Sequence, residues 1–372
     1  MKKNLPDFRR IKQQRGYLLL ALLLVVVLAG SSFVLGTFGN RQTAFVESQK
    51  EIHRQMEIAK SNLLAYAANS ATLYADARGP GFFPCPDANN DGQPETTCNC
   101  PDSNADGVFD TTCTSDAPII GRLPEYQDFS GKNFDFNDYY SGLDQQFWLV
   151  VGPRYIYHSS TTSKRRSNAR TYSKSPSNYN STASSYWLNL DGTTKYVALI
   201  VAPGEALDTQ DRSTNPLSYS EYLDGQNGSN GFNFYSTYTS DPSAFNDQIL
   251  GITLDEYMVA VGTAVATRIK TYLDQYRVSN GSYPPDNGGS SDYNPSSSCS
   301  STTYSNWFDS KPTWLRDTSN STSGERWSCR YGTYWDRSTS NTSSGTLIFN
   351  GCPGIVFTLT YGSPLTRSGR SC

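Results

Sequence analysis

Between Gly16 and Gly39 the chain carries 22 consecutive residues, Tyr17 to Phe38, with no charged side chain among them. As a helix rising 1.5 Å per residue, that run is roughly 33 Å long, about the thickness of a bilayer's hydrocarbon core. The 16 residues before it hold Lys2, Lys3, Arg9, Arg10, Lys12 and Arg15 against Asp7 as the only acid. A basic tail ahead of one apolar helix stays on the cytoplasmic side, so everything after Phe38 is expected to be exported. A cleavable signal peptide has a shorter apolar region, about 7–15 residues, and then a small-residue cleavage site. Leu18–Leu28 followed by Ala29-Gly30-Ser31 fits that description, but Phe33-Val34-Leu35 then resumes the apolar character and no proline breaks the chain. No cysteine follows Leu28-Ala29-Gly30, which argues against a lipoprotein signal.

A second pattern continues the first. Phe45, Ile52, Met56, Ala59, Leu63, Tyr66, Ser70 and Leu73 follow, after a first step of seven, in steps of four and three. That spacing lays them along one helical face. Glu47, Lys50, Glu51, Arg54, Glu57 and Lys60 are expected on the other. Arg78-Gly79-Pro80-Gly81 supplies a terminal cation, a capping glycine and a proline that cannot continue the helix. The two patterns together predict one rod from Tyr17 to Arg78, roughly 90 Å long, half in a membrane and half against a globular body. A coiled-coil stalk would show the same seam over so short a length.

The string "QQRG" followed by "YLLLALLLVVVLAG" resembles the signal of type IV prepilins. In that family a short basic leader ends in Gly, a bulky residue starts the mature chain, and an unbroken apolar helix runs on into an amphipathic one. The resemblance implies processing by a prepilin peptidase between Gly16 and Tyr17, with methylation of the new N-terminus. Two positions depart from the family pattern: Tyr17 stands where Phe is usual, and Ala21 where most members place a Glu that neutralises a neighbouring subunit's amine. A subunit at the apex has no neighbour above it, and the tip pseudopilins of type II secretion similarly lack that Glu. Ala21 and the size of the body therefore imply a minor or tip-located subunit.

Without the leader's six cations and one acid, the 31 basic and 34 acidic residues become 25 and 33, a net charge of −8 that argues against general nucleic-acid binding. All eight cysteines, Cys85, Cys98, Cys100, Cys113, Cys299, Cys329, Cys352 and Cys372, lie after the apolar run. An even count on the exported side points to disulfides. The two groups of four imply local pairing, with connectivity left open. Ser159–Ser185 and Asn287–Ser344 are rich in Ser, Thr, Asn, Tyr and Gly, a composition suited to short strands and loops.

Residues 85–98 read CPDANNDGQPETTC and residues 100–113 read CPDSNADGVFDTTC, a tandem repeat with a period of 15. Counting from the first aspartate, positions one, three, five and nine carry side-chain oxygens: Asp87, Asn89, Asp91 and Glu95, then Asp102, Asn104, Asp106 and Asp110. Gly92 and Gly107 permit a sharp turn at position six, and the backbone carbonyl of Gln93 or Val108 would serve at position seven. Such alternation directs oxygens at one centre and suits a hard cation that takes six to eight of them. Position twelve is Cys98 or Cys113, not the bidentate Glu of an EF-hand. The loops resemble thrombospondin type 3 repeats, in which disulfides and calcium stand in for an apolar core. Two Ca2+ ions of modest affinity are expected; a pair of Asx-turn loops stapled by disulfides is the alternative.

Thr253 and Glu256 form a capping box ahead of a stripe at Tyr257, Val261, Val265, Ile269, Tyr272 and Tyr276, which ends at Asn280-Gly281. "SYPPDNGG" after it echoes "GPGFFPCPDANNDG" after the first helix, a weak hint of a second pilin-like unit. "FWLVVG", "KYVALIVAPG" and "TLIFNGCPGIVFTLTYG" read as strands. Two histidines, His53 and His158, and no HExxH, P-loop or GxSxG argue against an enzyme, and no catalytic residue is assigned. Lys164, Arg165 and Arg166, interleaved with Ser and Tyr172, form a basic patch for an acidic glycan or a phosphate backbone; more often such a run is a solvated loop.

These readings predict an α+β fold in which a long N-terminal helix, part membrane and part amphipathic, packs on an antiparallel-sheet body stabilised by disulfide and calcium loops. The expected segments are a leader at 1–16, a transmembrane half at 17–40 and an amphipathic half at 41–79. The tandem loops at 80–125, a β-rich body at 126–250 and a helix-plus-β region at 251–372 follow. The expected role is a structural, adhesive minor subunit of a type IV pilus or type II secretion-like filament. Its partners are other pilin subunits, the prepilin peptidase, the inner membrane and a surface or glycan ligand. Its place is the inner membrane, with the C-terminus periplasmic, and then the cell surface. The alternative is an anchored or secreted calcium-stabilised adhesin that enters no filament.

Overall fold

A computed structural model of the chain describes residues 23–25, 47–70, 80–96, 98, 102, 104–110, 117–129, 132–135, 146–153, 155–156, 187–229, 231–236, 245–283, 333–337, 341–349 and 352–372. The chain divides into two compact units, Met1–Arg54 and Gln55–Cys372. The protein is of mixed α+β class with disulfides.

In the first unit the described residues are helical. Leu23, Leu24 and Val25 are exposed, and Arg54 pairs with Glu51 one turn earlier at 2.6 Å. The rest of Tyr17–Phe38 lies outside the described residues, and no helix among those described is long and apolar enough to cross a membrane.

Residues 47–70 are helical (α1), and their buried positions include Ile52, Met56, Ala59, Leu63, Tyr66 and Ser70, the stripe expected from the spacing. His53, Arg54 and Glu57 are exposed. Lys60 departs from expectation. Instead of lying on the polar face it is buried, with its ammonium 2.6 Å from the Glu256 carboxylate and donating to the Gly251 carbonyl at 3.0 Å. Lys60 flanks Ala59 and Met56 at the edge of the stripe, where a long stem can lie along apolar surface while its head finds a distant partner.

The larger sheet contains β1 (Ile119–Arg122), β4 (Trp148–Val151), β5 (Leu188–Leu190), β6 (Thr193–Ala202), β7 (Asn233–Phe234) and β8 (Gln248–Thr253). Its order is β1-β4-β6-β5-β7, with β8 also paired to β6. All pairs are antiparallel except β5 with β7. Register sets Trp148 opposite Val201 and Val150 opposite Leu199. With Ile120, Leu188, Leu190, Tyr222, Leu223 and Phe234 they form the core on one face. The alternate set, Leu149, Val151, Ala198 and Ile200, is equally buried. Burial on both faces explains why these strands read as unbroken apolar runs. The sheet draws β1 from before residue 126 and half of β8 from after residue 250.

The second helix, α2 (Leu254–Asn280), starts at the expected capping box: Glu256 N–H donates to Thr253 Oγ1, and the Glu256 carboxylate accepts from Thr253 N–H. It stops at Gly281, whose φ of +79° is left-handed. Tyr257, Val261, Val265 and Ile269 are buried. At Gly262 the helix comes close to β11: a Cβ there would sit 3.3 Å from the Phe357 ring. β11 (Cys352–Thr360) is central to a second antiparallel sheet, ordered β12-β11-β10-β9, with β9 at Thr333–Arg337, β10 at Ser344–Phe349 and β12 at Thr366–Ser368. A separate hairpin joins β2 (Tyr126–Phe129) to β3 (Lys132–Asp135).

Candidate metal centre

The tandem repeats fold alike where both are described. In the first, Gly92 N–H donates to Asp87 Oδ2 at 2.8 Å, Gln93 N–H to Asp91 Oδ1 at 2.8 Å, and Asn89 Nδ2 to Asp91 Oδ2 at 3.3 Å. In the second, Gly107 N–H donates to Asp102 Oδ2 at 2.9 Å, Val108 N–H to Asp106 Oδ1 at 2.9 Å, and Asn104 Nδ2 to Asp106 Oδ2 at 2.9 Å. Positions four and six are left-handed in both: Asn90 and Gly92, Ala105 and Gly107, with φ between +56° and +83°. Each aspartate at position one thus gathers the turn's own N–H groups, which fixes the loop before any ion is considered.

The carboxylates are electrostatically crowded. Burial, opposed by the N–H groups of Gly92 and Asn90 and reinforced by Asp91, raises Asp87 above the usual carboxylate range. Burial and then the charges of Asp91 and Asp87 raise Glu95. Burial also raises Asp102, with Asp106 adding to it. Glu95 Oε1 is buried without a hydrogen-bond partner among the described residues. None of Asp87, Asp91, Glu95, Asp102 or Asp106 is salt-bridged to a described residue. Among the described residues no group of three or more His, Cys, Asp or Glu is arranged to hold a metal ion.

The loops are anchored to the larger sheet and to each other. Asp87 and Arg122 exchange backbone hydrogen bonds at 2.9 and 2.8 Å, so the first loop extends the β1 edge. Glu125 N–H donates to the Gly92 carbonyl at 2.9 Å. A Cβ on Gly107 would lie 3.0 Å from Leu217 Cδ1 and 3.3 Å from Asn89 Cα, so the second loop packs on both the first loop and the connection after β6. Cys85 and Cys98 are bonded, closing the first repeat on itself, and Cys352 and Cys372 tie the C-terminus to β11. Both pairs lie within their own group of four. Val108 is exposed at the tip of the second loop.

Gly16, Tyr17, Lys164, Arg165, Arg166, Cys100, Cys113, Cys299 and Cys329 lie outside the described residues. Two arrangements carried no sequence signal. Arg122 is buried with its guanidinium 5.0 Å from the Trp148 ring centroid and 4.7 Å from that of Tyr222, donating to the Pro216 carbonyl at 2.6 Å. The other is the buried pair Asp224 and Asp247. No protein-family model, curated protein or solved structure matches the chain.

Proposed function

We propose that the chain is a prepilin-like subunit, processed after Gly16 and placed at or near the end of a type IV pilus or type II secretion-like filament, with a calcium-stabilised exported body. The carrying observation is the conjunction in one chain of a basic leader ending in Gly16, an uncharged run from Tyr17, and a helix at 47–70 buried along the stripe that continues it. The exposed helical residues Leu23, Leu24 and Val25 in the run, and the mixed α+β body, support it. Ala21 favours an apical position. The body's role is structural and adhesive, without catalysis.

Asp87, Asn89, Asp91, Glu95 and the Gln93 carbonyl would hold one Ca2+. Asp102, Asn104, Asp106, Asp110 and the Val108 carbonyl would hold the other. The support for this is the bare, buried Glu95 Oε1 and the absence of a basic partner for the crowded carboxylates among the described residues. A divalent cation would offset the burial and, after it, the mutual repulsion that raise Asp87 and Glu95.

Intact-mass and N-terminal peptide mass spectrometry of the protein from membranes containing a prepilin peptidase tests the assignment. A methylated Tyr17 N-terminus is expected. An N-terminus at Met1 or at Ser32 would overturn it in favour of an anchored or secreted adhesin.

A further inference from the structure

The connection between β6 and β8 is held to the sheet by a polar cluster as well as by Tyr222, Leu223 and Phe234. Two buried carboxylates, Asp224 at 1% exposure and Asp247 at 3%, reciprocate. Asp224 N–H donates to Asp247 Oδ2 at 2.8 Å, and Asp247 N–H to Asp224 Oδ2 at 3.1 Å. Asn246 N–H adds a 2.5 Å bond to Asp224 Oδ2, and Gln210 Nε2 a 3.1 Å bond to Asp224 Oδ1. Asn227, fully buried, donates to Asp247 Oδ2 and to the Tyr235 carbonyl, both at 3.0 Å, and accepts from Tyr235 N–H at 2.9 Å. One oxygen of the cluster is left over: Asp247 Oδ1 is buried with no partner among the described residues.

The charges around the pair do not balance it. Arg212 is the neighbouring cation, yet its guanidinium donates to the Gly204, Glu221 and Tyr222 carbonyls and to Gln210 Oε1, not to either carboxylate. Two anions in contact away from water are costly, and a bare buried carboxylate oxygen adds to that cost. A single proton on Asp247 Oδ1 removes one charge and leaves every existing bond to Oδ2 and to Asp224 intact.

We propose that Asp224 and Asp247 form a proton-dependent clasp, closed when Asp247 Oδ1 is protonated, which fastens the 203–236 connection to the start of β8 and loosens in alkaline medium. Burial first, and the Asp224 charge second, raise Asp247 from 3.8 to about 7. Burial also raises Asp224. The folded state therefore holds a proton that the unfolded chain gives up. This contribution to stability is complete below about pH 4 and is lost as pH rises through about 7. The same connection supplies Leu217 and Pro216 to the second repeat and to Arg122, so its release would reach both.

Hydrogen exchange on the full chain at about pH 6 and about pH 8.5, corrected for intrinsic rates, tests the clasp. Peptides covering 222–228 and 245–249 should lose at least roughly tenfold protection at the higher pH, while α2 peptides change little. Asp247→Asn, a neutral isostere, should keep the pH 6 protection at both values. Infrared difference spectra should show a protonated-carboxyl band at the lower pH that is missing from this variant. Equal wild-type protection at both pH values, or an Asn variant that retains the wild-type dependence, would overturn the proposal. Should Asp247→Asn fail to fold, the infrared band and the exchange profile of the wild type still decide it.

Discussion

Lys60 shows how one side chain ties three elements together. Its ammonium meets the Glu256 carboxylate from the start of α2 and the Gly251 carbonyl of β8, while Glu256 also closes the capping box. Burial raises Glu256, but bonds from Lys60 and Thr253 outweigh it and leave the carboxyl below its ordinary value. Its contribution is present above the usual carboxylate range and fades as pH falls through the depressed value. Lys60→Met keeps the stem's packing but leaves a buried acceptor unmet, so a loss of about 1–3 kcal/mol is expected in urea denaturation at about pH 7. Much of the wild type's weakening towards about pH 4 should go with it. Glu256→Gln preserves the cap and strands a buried charge, and it should cost at least as much. A smaller cost for Glu256→Gln would mean the ammonium is solvated. Periodicity put Lys60 on the polar face and could not reveal a partner 191 residues away at Gly251.

At the scale of elements, local chemistry was the readable part. The stripe from Ile52 to Ser70, the Thr253–Glu256 cap and the Gly281 stop are all encoded within a few residues, and all appear in the structure. The two loops are readable for the same reason, since each aspartate bonds N–H groups no more than five positions away. The Arg122 stack and the Asp224–Asp247 clasp were invisible because they join segments with no common period. For the loops, the proposed calcium makes a paired prediction. A chelator should lower the melting temperature of the wild type by several degrees, roughly what about 1–3 kcal/mol produces in a domain of this size. Asp91→Ala combined with Asp106→Ala should start near that lowered value and ignore the chelator. Isothermal calorimetry should find two sites in the wild type and none in the double variant. No response in the wild type would leave the loops as Asx turns, which their own hydrogen bonds already support.

For the whole molecule, the order of strands decides what can be removed. The larger sheet interleaves β4, β6 and β8 from distant parts of the chain, and β5 meets β7 in parallel, an arrangement that no local pattern announces. Within Gln55–Cys372, Met56, Ala59, Leu63 and Tyr66 are as buried as the sheet's own residues, and Gly81 N–H returns to the Ala67 carbonyl at 2.7 Å. Helix residues 55–70 are thus part of the body's core, whereas under the proposed function Tyr17–Phe38 would serve the membrane and the filament. Two deletions separate these roles. A chain starting at residue 41 should be soluble and monomeric, melt cooperatively within a few degrees of the detergent-solubilised full chain, and no longer sediment with membranes. A chain starting at residue 71 would lose the four buried side chains and the Lys60 pair together. At about 1.5–3 kcal/mol for each large apolar side chain, that loss is comparable with the whole stability of an ordinary domain. This shorter chain should aggregate or bind hydrophobic dyes. If it instead melts like the longer one, α1 is an appendage of the body, and the rod is a stalk that carries the body without completing its core.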